Sequence, residues 1–200
     1  MKEAIHHLKR ADPILCAIIE RVGEYAIQFR EPTFETLVKS IVYQQLSGRV
    51  ASVIFGRLVN ALKGEITCEG ILKLRPSRMR ALGLSTQKTA YIRDLARHAR
   101  SGELVFEELL DLSDAEVIER LTRVKGIGTW TVHMFLMFAL RRPDVLPTGD
   151  LGIRSAMRKA YGLADLPKPD EMEALAANWR PYCTVASWYL WRSLEPNANL

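Results

Sequence analysis

Two segments of this chain carry residue types that could do chemistry together. One reads Val124-Lys125-Gly126-Ile127-Gly128-Thr129-Trp130-Thr131; the other, Leu146-Pro147-Thr148-Gly149-Asp150, ends on a lone acid. Gly126-Ile127-Gly128 is too short for a nucleotide-binding loop and lies between two helical patterns. Such a turn can aim several backbone N–H groups at an anion, because the first N–H groups of a helix lack partners inside it. Asp150 follows in a Pro/Gly turn, where a carboxylate can stand in a cleft. One element would hold a phosphate and the other would do chemistry close by. A second reading stays open for each. The glycines also suit an ordinary helix–helix turn with glycine at a C-cap, and Asp150 suits the N-cap of the helix that follows. Asp150 can serve in both capacities.

The elements on either side set these groups in place. Val117, Ile118, Leu121 and Val124 form one apolar helix face. After the turn, Val132, Phe135, Leu136 and Ala139 make one stripe, and Trp130, Met134, Met137 and Phe138 another. A helix that is apolar all round belongs in the interior. Ile127, between the glycines, plugs the core. Residues 117–140 therefore read as a helix-hairpin-helix. Its N–H groups at Gly126, Gly128 and the start of the second helix would grip a phosphate without regard to sequence, with Lys125 placed to assist. The preceding carbonyls could coordinate a monovalent cation.

The rest of the chain also reads as helix. Asp12-Pro13 opens a helix to about Gly23, with proline at a tolerated early position. Pro32-Thr33 opens another to about Gln45, and Ser47-Gly48 breaks or bends the pattern before Val50, Val53, Ile54, Leu58 and Leu62 resume it. Further starts fall at Thr67, Pro76 and Ser85, and Ser113-Asp114-Ala115-Glu116 is a capping box. A helix follows from Asp150 to about Tyr161, Asp170 caps another, and Pro181 begins the last. Strand-type alternation and internal repeats are lacking. The expected fold is all-α, a two-lobed bundle of about ten short helices. Lobe A spans about 1–32 plus 150–200; lobe B spans about 33–149 and contains the hairpin.

Composition narrows the function classes. The 200 residues suit one unit of two small lobes, and 48% hydrophobic content is enough for a core. No apolar run reaches the roughly 18 residues a membrane helix needs, and the first residues do not read as a signal peptide, so a cytoplasmic protein is expected. Cys16, Cys68 and Cys183 are far apart and odd in number, which argues against a disulfide framework, a zinc site or an iron–sulfur cluster. His6-His7 reads as a solvated terminus. The net charge is +5, and its distribution says more than its size. Residues 73–100 hold eight Lys and Arg against Asp94, whereas residues 103–119 hold seven acids and no Lys or Arg. Either two helix faces of opposite sign are solvated, or one polarised side is presented to a polyanion.

The hairpin segment, followed by Leu146-Pro147-Thr148-Gly149-Asp150, resembles the helix-hairpin-helix/Gly-Pro-Asp superfamily of DNA glycosylases. Within it the chain most resembles the 3-methyladenine DNA glycosylase II branch, which repairs alkylation. Ile41-Val42-Tyr43-Gln44-Gln45-Leu46-Ser47 looks like that family's loop near the lesion, and the stretch from Trp179-Arg180-Pro181-Tyr182 to Trp191 looks like its C-terminal helix pair. The resemblance covers roughly residues 30–195.

The resemblance implies a catalytic carboxylate at Asp150, stabilising an oxocarbenium-like sugar and orienting a water. It implies a base pocket at Trp130, Met134 and Trp191, whose aromatic faces suit a cationic, alkylated purine. Gln45, then Leu46, would fill the gap left by a flipped base, with Ser47, Gly48 and Arg49 nearby on the backbone. Lys125, Gly126, Gly128, Thr129 and Thr131 would contact DNA. Carbonyls of Thr122, Val124 and Ile127 would hold Na+ or K+; no cofactor is otherwise required and no iron–sulfur cluster is expected. In members that also cut the backbone, a hairpin lysine is the Schiff-base nucleophile, and Trp130 stands at that position. The implied activity is a monofunctional glycosylase removing 3-methyladenine- and 7-methylguanine-type bases from damaged double-stranded DNA. The duplex would lie bent in a cleft between the lobes. A monomer with no membrane contact, of bacterial or archaeal type and nucleoid-associated, is expected. The chain departs at Met134 from the best-known member of the resemblance, which has an aromatic residue there, and resembles a compact form without an N-terminal β-rich domain. Two alternatives stand: a non-catalytic DNA-binding module built on the hairpin, and a glycosylase for oxidised or deaminated bases.

Overall fold

Short polar side chains start most of the helices. Asp12 accepts the N–H groups of Ile14 and Leu15, and Thr33, Ser47, Thr67, Ser85 and Ser113 each accept the N–H three residues on. In the computed structural model, which describes residues 1–195, these starts and their neighbours give twelve α-helices, two short 3₁₀ helices and no strand among the described residues. The helices are α1 (Lys2–Ala11), α2 (Pro13–Val22), α3 (Phe34–Tyr43), α4 (Gly48–Ala61), α5 (Cys68–Lys73) and α6 (Pro76–Ala81), then α7 (Thr86–Ser101), α8 (Asp114–Thr122), α9 (Thr129–Phe138), α10 (Leu151–Tyr161), α11 (Pro169–Ala176) and α12 (Cys183–Arg192). Three boundaries differ from the expected ones. Helix α3 stops at Tyr43, because Gln45 takes a left-handed φ of 54°. Helix α11 starts at Pro169, its first turn closed by Glu171 accepting the Lys168 N–H. Helix α12 starts at Cys183, two residues after Pro181. No helix among the described residues is long and apolar enough to cross a membrane.

The chain divides into two compact units, one formed by residues 1–29 with those from 136 onward, the other by residues 30–135. The second break falls inside α9 instead of near residue 149. Val132 and Phe135 are buried on the second unit's side of this break, and Leu136 and Met137 on the first unit's side.

The first unit is built on α2, α10 and α12. Leu8, Leu15, Ile153, Met157, Trp179 and Tyr189 fill its core, each side chain of this kind contributing about 1.5–3 kcal/mol on burial. The N-terminus is folded, not solvated as expected: Leu8 is fully buried and His7 Nε2 lies 2.9 Å from the Asn178 carbonyl oxygen. Asp12 sits inside this unit, where its second carboxylate oxygen accepts from Tyr161 Oη at 2.5 Å and Trp179 Nε1 at 2.9 Å.

In the second unit α7 packs against α3, α5 and α6. Two of the eight basic residues of the 73–100 stretch turn inward to cap helices. Arg93 donates to the carbonyls of Ile71, Leu72 and Leu74 at the end of α5. Lys88 donates to the carbonyls of Val42 and Gln44 at the end of α3, at 2.7 and 2.6 Å. A third, Arg97, pairs with Asp94 at 3.5 Å. The basic stretch is thus partly structural.

Candidate active site

The hairpin turn belongs to the second unit. Gly126 takes φ +84°, and a Cβ there would lie 2.1 Å from the Tyr91 ring. Both conformation and space demand glycine at this position. Gly128 is different: a Cβ would meet nothing within 4 Å. Ile127 is buried as expected, and its N–H donates to the Val124 carbonyl at 3.1 Å. Asp94, from α7, accepts the Lys125 N–H at 3.0 Å. Nothing in the local sequence pairs Asp94 with Lys125; the packing of α7 beside the turn does.

The Gln45-Leu46 loop meets the turn within the same unit. The Gln44 side-chain amide donates to the Gly126 carbonyl at 2.9 Å, and the Lys88 ammonium holds the loop's first carbonyls. Burial at this spot pulls Lys88 below the usual lysine range. Gln45 and Leu46 themselves are exposed, Leu46 by 38%, while Ser47 caps α4. A groove of about 530 Å³ runs here, lined by Gln44, Gln45, Lys88, Tyr91, Lys125 and Gly126 among others.

Helix α9 leaves the turn with Thr129 exposed and Trp130 46% exposed. Met134 is half-buried. Thr131, expected among the DNA contacts, is only 5% exposed: the first turn of α9 directs it inward, so its side chain is a poor candidate for that role. Trp130, Met134 and Phe138 follow at i, i+4 and i+8, one face of the helix.

Asp150 belongs to the first unit and is 8% exposed. It is the N-cap of α10, its Oδ1 accepting the Ile153 N–H at 2.8 Å. The same oxygen accepts from Trp191 Nε1 at 2.8 Å. Trp191 in turn stacks on Phe138, with ring centroids 5.9 Å apart and planes 24° from parallel. The carboxylate is therefore fixed by one backbone and one indole donor, and the indole by an aromatic neighbour. Phe138 and the Trp191–Asp150 bond were not singled out by the sequence, although Phe138 lies eight residues after Trp130 on an aromatic-rich stripe.

Among the described residues no group of three His, Cys, Asp or Glu could hold a metal ion, and the three cysteines are free thiols. Cys183 is buried, and burial pushes its thiol up, away from reactivity.

A family model described as HhH-GPD superfamily base excision DNA repair protein matches residues 38–181. The chain belongs to the HhH-GPD superfamily. Among curated HhH-GPD relatives, it is 36% identical to DNA-3-methyladenine glycosylase 1 of Schizosaccharomyces pombe, over 94% of this chain and 85% of that protein. The fold is similar to the solved S. pombe 3-methyladenine DNA glycosylase in complex with abasic DNA (TM-score 0.84, 36% identity, 95% of each chain). It is also similar to a DNA-3-methyladenine glycosidase from Bacillus halodurans, with TM-score 0.86 and 37% identity over 98% of this chain and 89% of that one.

Proposed function

We propose that the protein is a monofunctional DNA glycosylase that hydrolyses the N-glycosidic bond of alkylated purines, of the 3-methyladenine and 7-methylguanine type, in double-stranded DNA during base excision repair. The observation that carries this reading is Asp150, a little-exposed carboxylate held through Oδ1 by two N–H donors at 2.8 Å. Breaking the bond to the base leaves positive charge on the sugar. A carboxylate fixed before the reaction stabilises that charge without reorganising as it forms. Alkylated purines carry positive charge, so the leaving base needs little help and suits the aromatic faces of Trp130 and Trp191. A lyase step requires an amine that forms a Schiff base, and the hairpin offers an indole at Trp130 in its place.

The hairpin supplies the grip on DNA. The N–H groups at Gly126, Gly128 and the start of α9 would take a backbone phosphate, with Lys125 and Thr129 beside them. Gln45 and Leu46, exposed on a loop with one strained residue, would fill the space of an extruded base. The carbonyls of Thr122, Val124 and Ile127 would form a neutral oxygen set. The Val124 oxygen accepts one N–H and a carbonyl has a second lone pair, so this set fits Na+ or K+ better than a metal that prefers nitrogen, sulfur or carboxylate.

The test is a duplex with one 7-methylguanine, incubated with protein and then treated with alkali. Strand breaks should follow alkali only. Breaks before alkali would contradict the monofunctional reading. Tight DNA binding with the lesion left in place would favour a non-catalytic binding module.

A further inference from the structure

We propose that Gly152 is a positioning residue, whose missing side chain makes the space in which the Trp191 indole reaches the Asp150 carboxylate. The proposal rests on Asp150 being the charge-stabilising group. Gly152 is the second residue of α10. A Cβ built on it would lie 3.0 Å from Asp150 Oδ1, 3.0 Å from Trp191 Cδ1 and 3.2 Å from Trp191 Nε1. These approaches are shorter than the roughly 3.5–4.0 Å at which carbon atoms attract one another. One methyl group would therefore press on both partners of the Trp191–Asp150 bond at once.

Backbone conformation does not explain the glycine. The left-handed glycines of this chain are elsewhere, and Gly152 is not among them. Alanine is the better helix former at such a position, so helix stability alone would favour a side chain there. Gly56, inside α4, shows the contrast, since a Cβ there would meet nothing within 4 Å. The indole has limited freedom to yield, because it stacks on Phe138. Nor can the carboxylate turn aside without releasing the Ile153 N–H that it caps. The cheapest response to a methyl group is loss of the indole–carboxylate bond, with the Ile153 cap retained.

The experiment uses full-length wild type, Gly152→Ala, Trp191→Phe and the double variant, each confirmed as folded by circular dichroism. Single-turnover release of 7-methylguanine should slow roughly 10- to 100-fold in each single variant, less than the roughly 100- to 1,000-fold for losing a donor that acts directly on the developing charge, because this donor acts through the carboxylate. The double variant should be no slower than the slower single variant, because both changes remove the same bond. Affinity for duplex with a neutral tetrahydrofuran abasic site should stay at the wild-type value. Affinity for duplex with a cationic pyrrolidine abasic site should fall along with the rate, since only that probe reads the placement of the carboxylate. If Gly152→Ala does not fold, Trp191→Phe still tests the bond through the split between the two probes. Additive losses, a wild-type rate for Gly152→Ala, or equal weakening on both probes would overturn the proposal. A wild type that releases no alkylated base would overturn the functional reading and this proposal with it; normal wild-type release with an unimpaired Gly152→Ala overturns this proposal alone.

Discussion

The Gln44 side-chain amide donates to the Gly126 carbonyl at 2.9 Å, so the exposed Gln45-Leu46 loop and the hairpin turn are one hydrogen-bonded object. Lys88 ties the same loop from α7, and Asp94 on that helix ties the Lys125 N–H. The hairpin turn and the Gln45-Leu46 loop thus share one support within the second unit.

Gly126→Ala attacks that support directly. A left-handed alanine costs about 1–2 kcal/mol, and the Tyr91 ring, 2.1 Å from the new Cβ, must also move. Stability should fall by at least that amount in urea unfolding, and affinity for undamaged duplex should weaken. Gly128→Ala is the control: with nothing within 4 Å of its Cβ, it should leave stability close to wild type. Equal stability loss in both variants would contradict this account of the turn.

Asp12 makes a second prediction, on the fold and not the chemistry. Its carboxylate accepts the Ile14 and Leu15 N–H groups, Tyr161 Oη and Trp179 Nε1. Asp12→Ala removes a helix cap, costing about 1 kcal/mol, and strands a buried indole donor, costing about 1–3 kcal/mol more. The total, roughly 2–4 kcal/mol, is measurable by denaturant midpoint. Base release per folded molecule should be unchanged. A loss under about 1 kcal/mol would show that water replaces these contacts.

Alkaline pH should weaken the first unit. Burial and the nearby Tyr189 push the Tyr25 phenol from 10.0 up to about 12, and Tyr161 and Tyr189 shift the same way. The folded state therefore keeps a proton that the unfolded chain releases near pH 10. The stability linked to it is present below pH 10 and is lost as pH climbs toward 12. The melting temperature should drop across that window, and Tyr25→Phe should make the drop shallower. An unchanged slope in the variant would refute the assignment.

What the sequence made legible was local. The glycine at 126, the Ile127 plug, the Ser113–Glu116 capping box, the helix starts at Asp12 and Thr33, the break at Ser47 and the cap at Asp150 all depend on neighbours within a few residues. The groups it hid act across long separations. Lys88 reaches carbonyls more than forty residues away, Asp94 holds Lys125, and Trp191 finds Asp150 only after α10 and α12 pack together. Gly152 looked like an unremarked helical glycine because its reason is a side chain thirty-nine residues further on. The burial of Thr131 was hidden too, because its spacing beside the hairpin does not say which way the first turn of α9 faces.

The most direct test of the account is Asp150→Asn on duplex carrying a single 7-methylguanine. Asparagine keeps the size and still offers an oxygen to the Ile153 N–H, so the fold and the affinity for tetrahydrofuran-containing duplex should be retained. Removing the charge should slow base release by about 100-fold or more. Release at the wild-type rate would contradict the central claim that this carboxylate stabilises the sugar as the base departs.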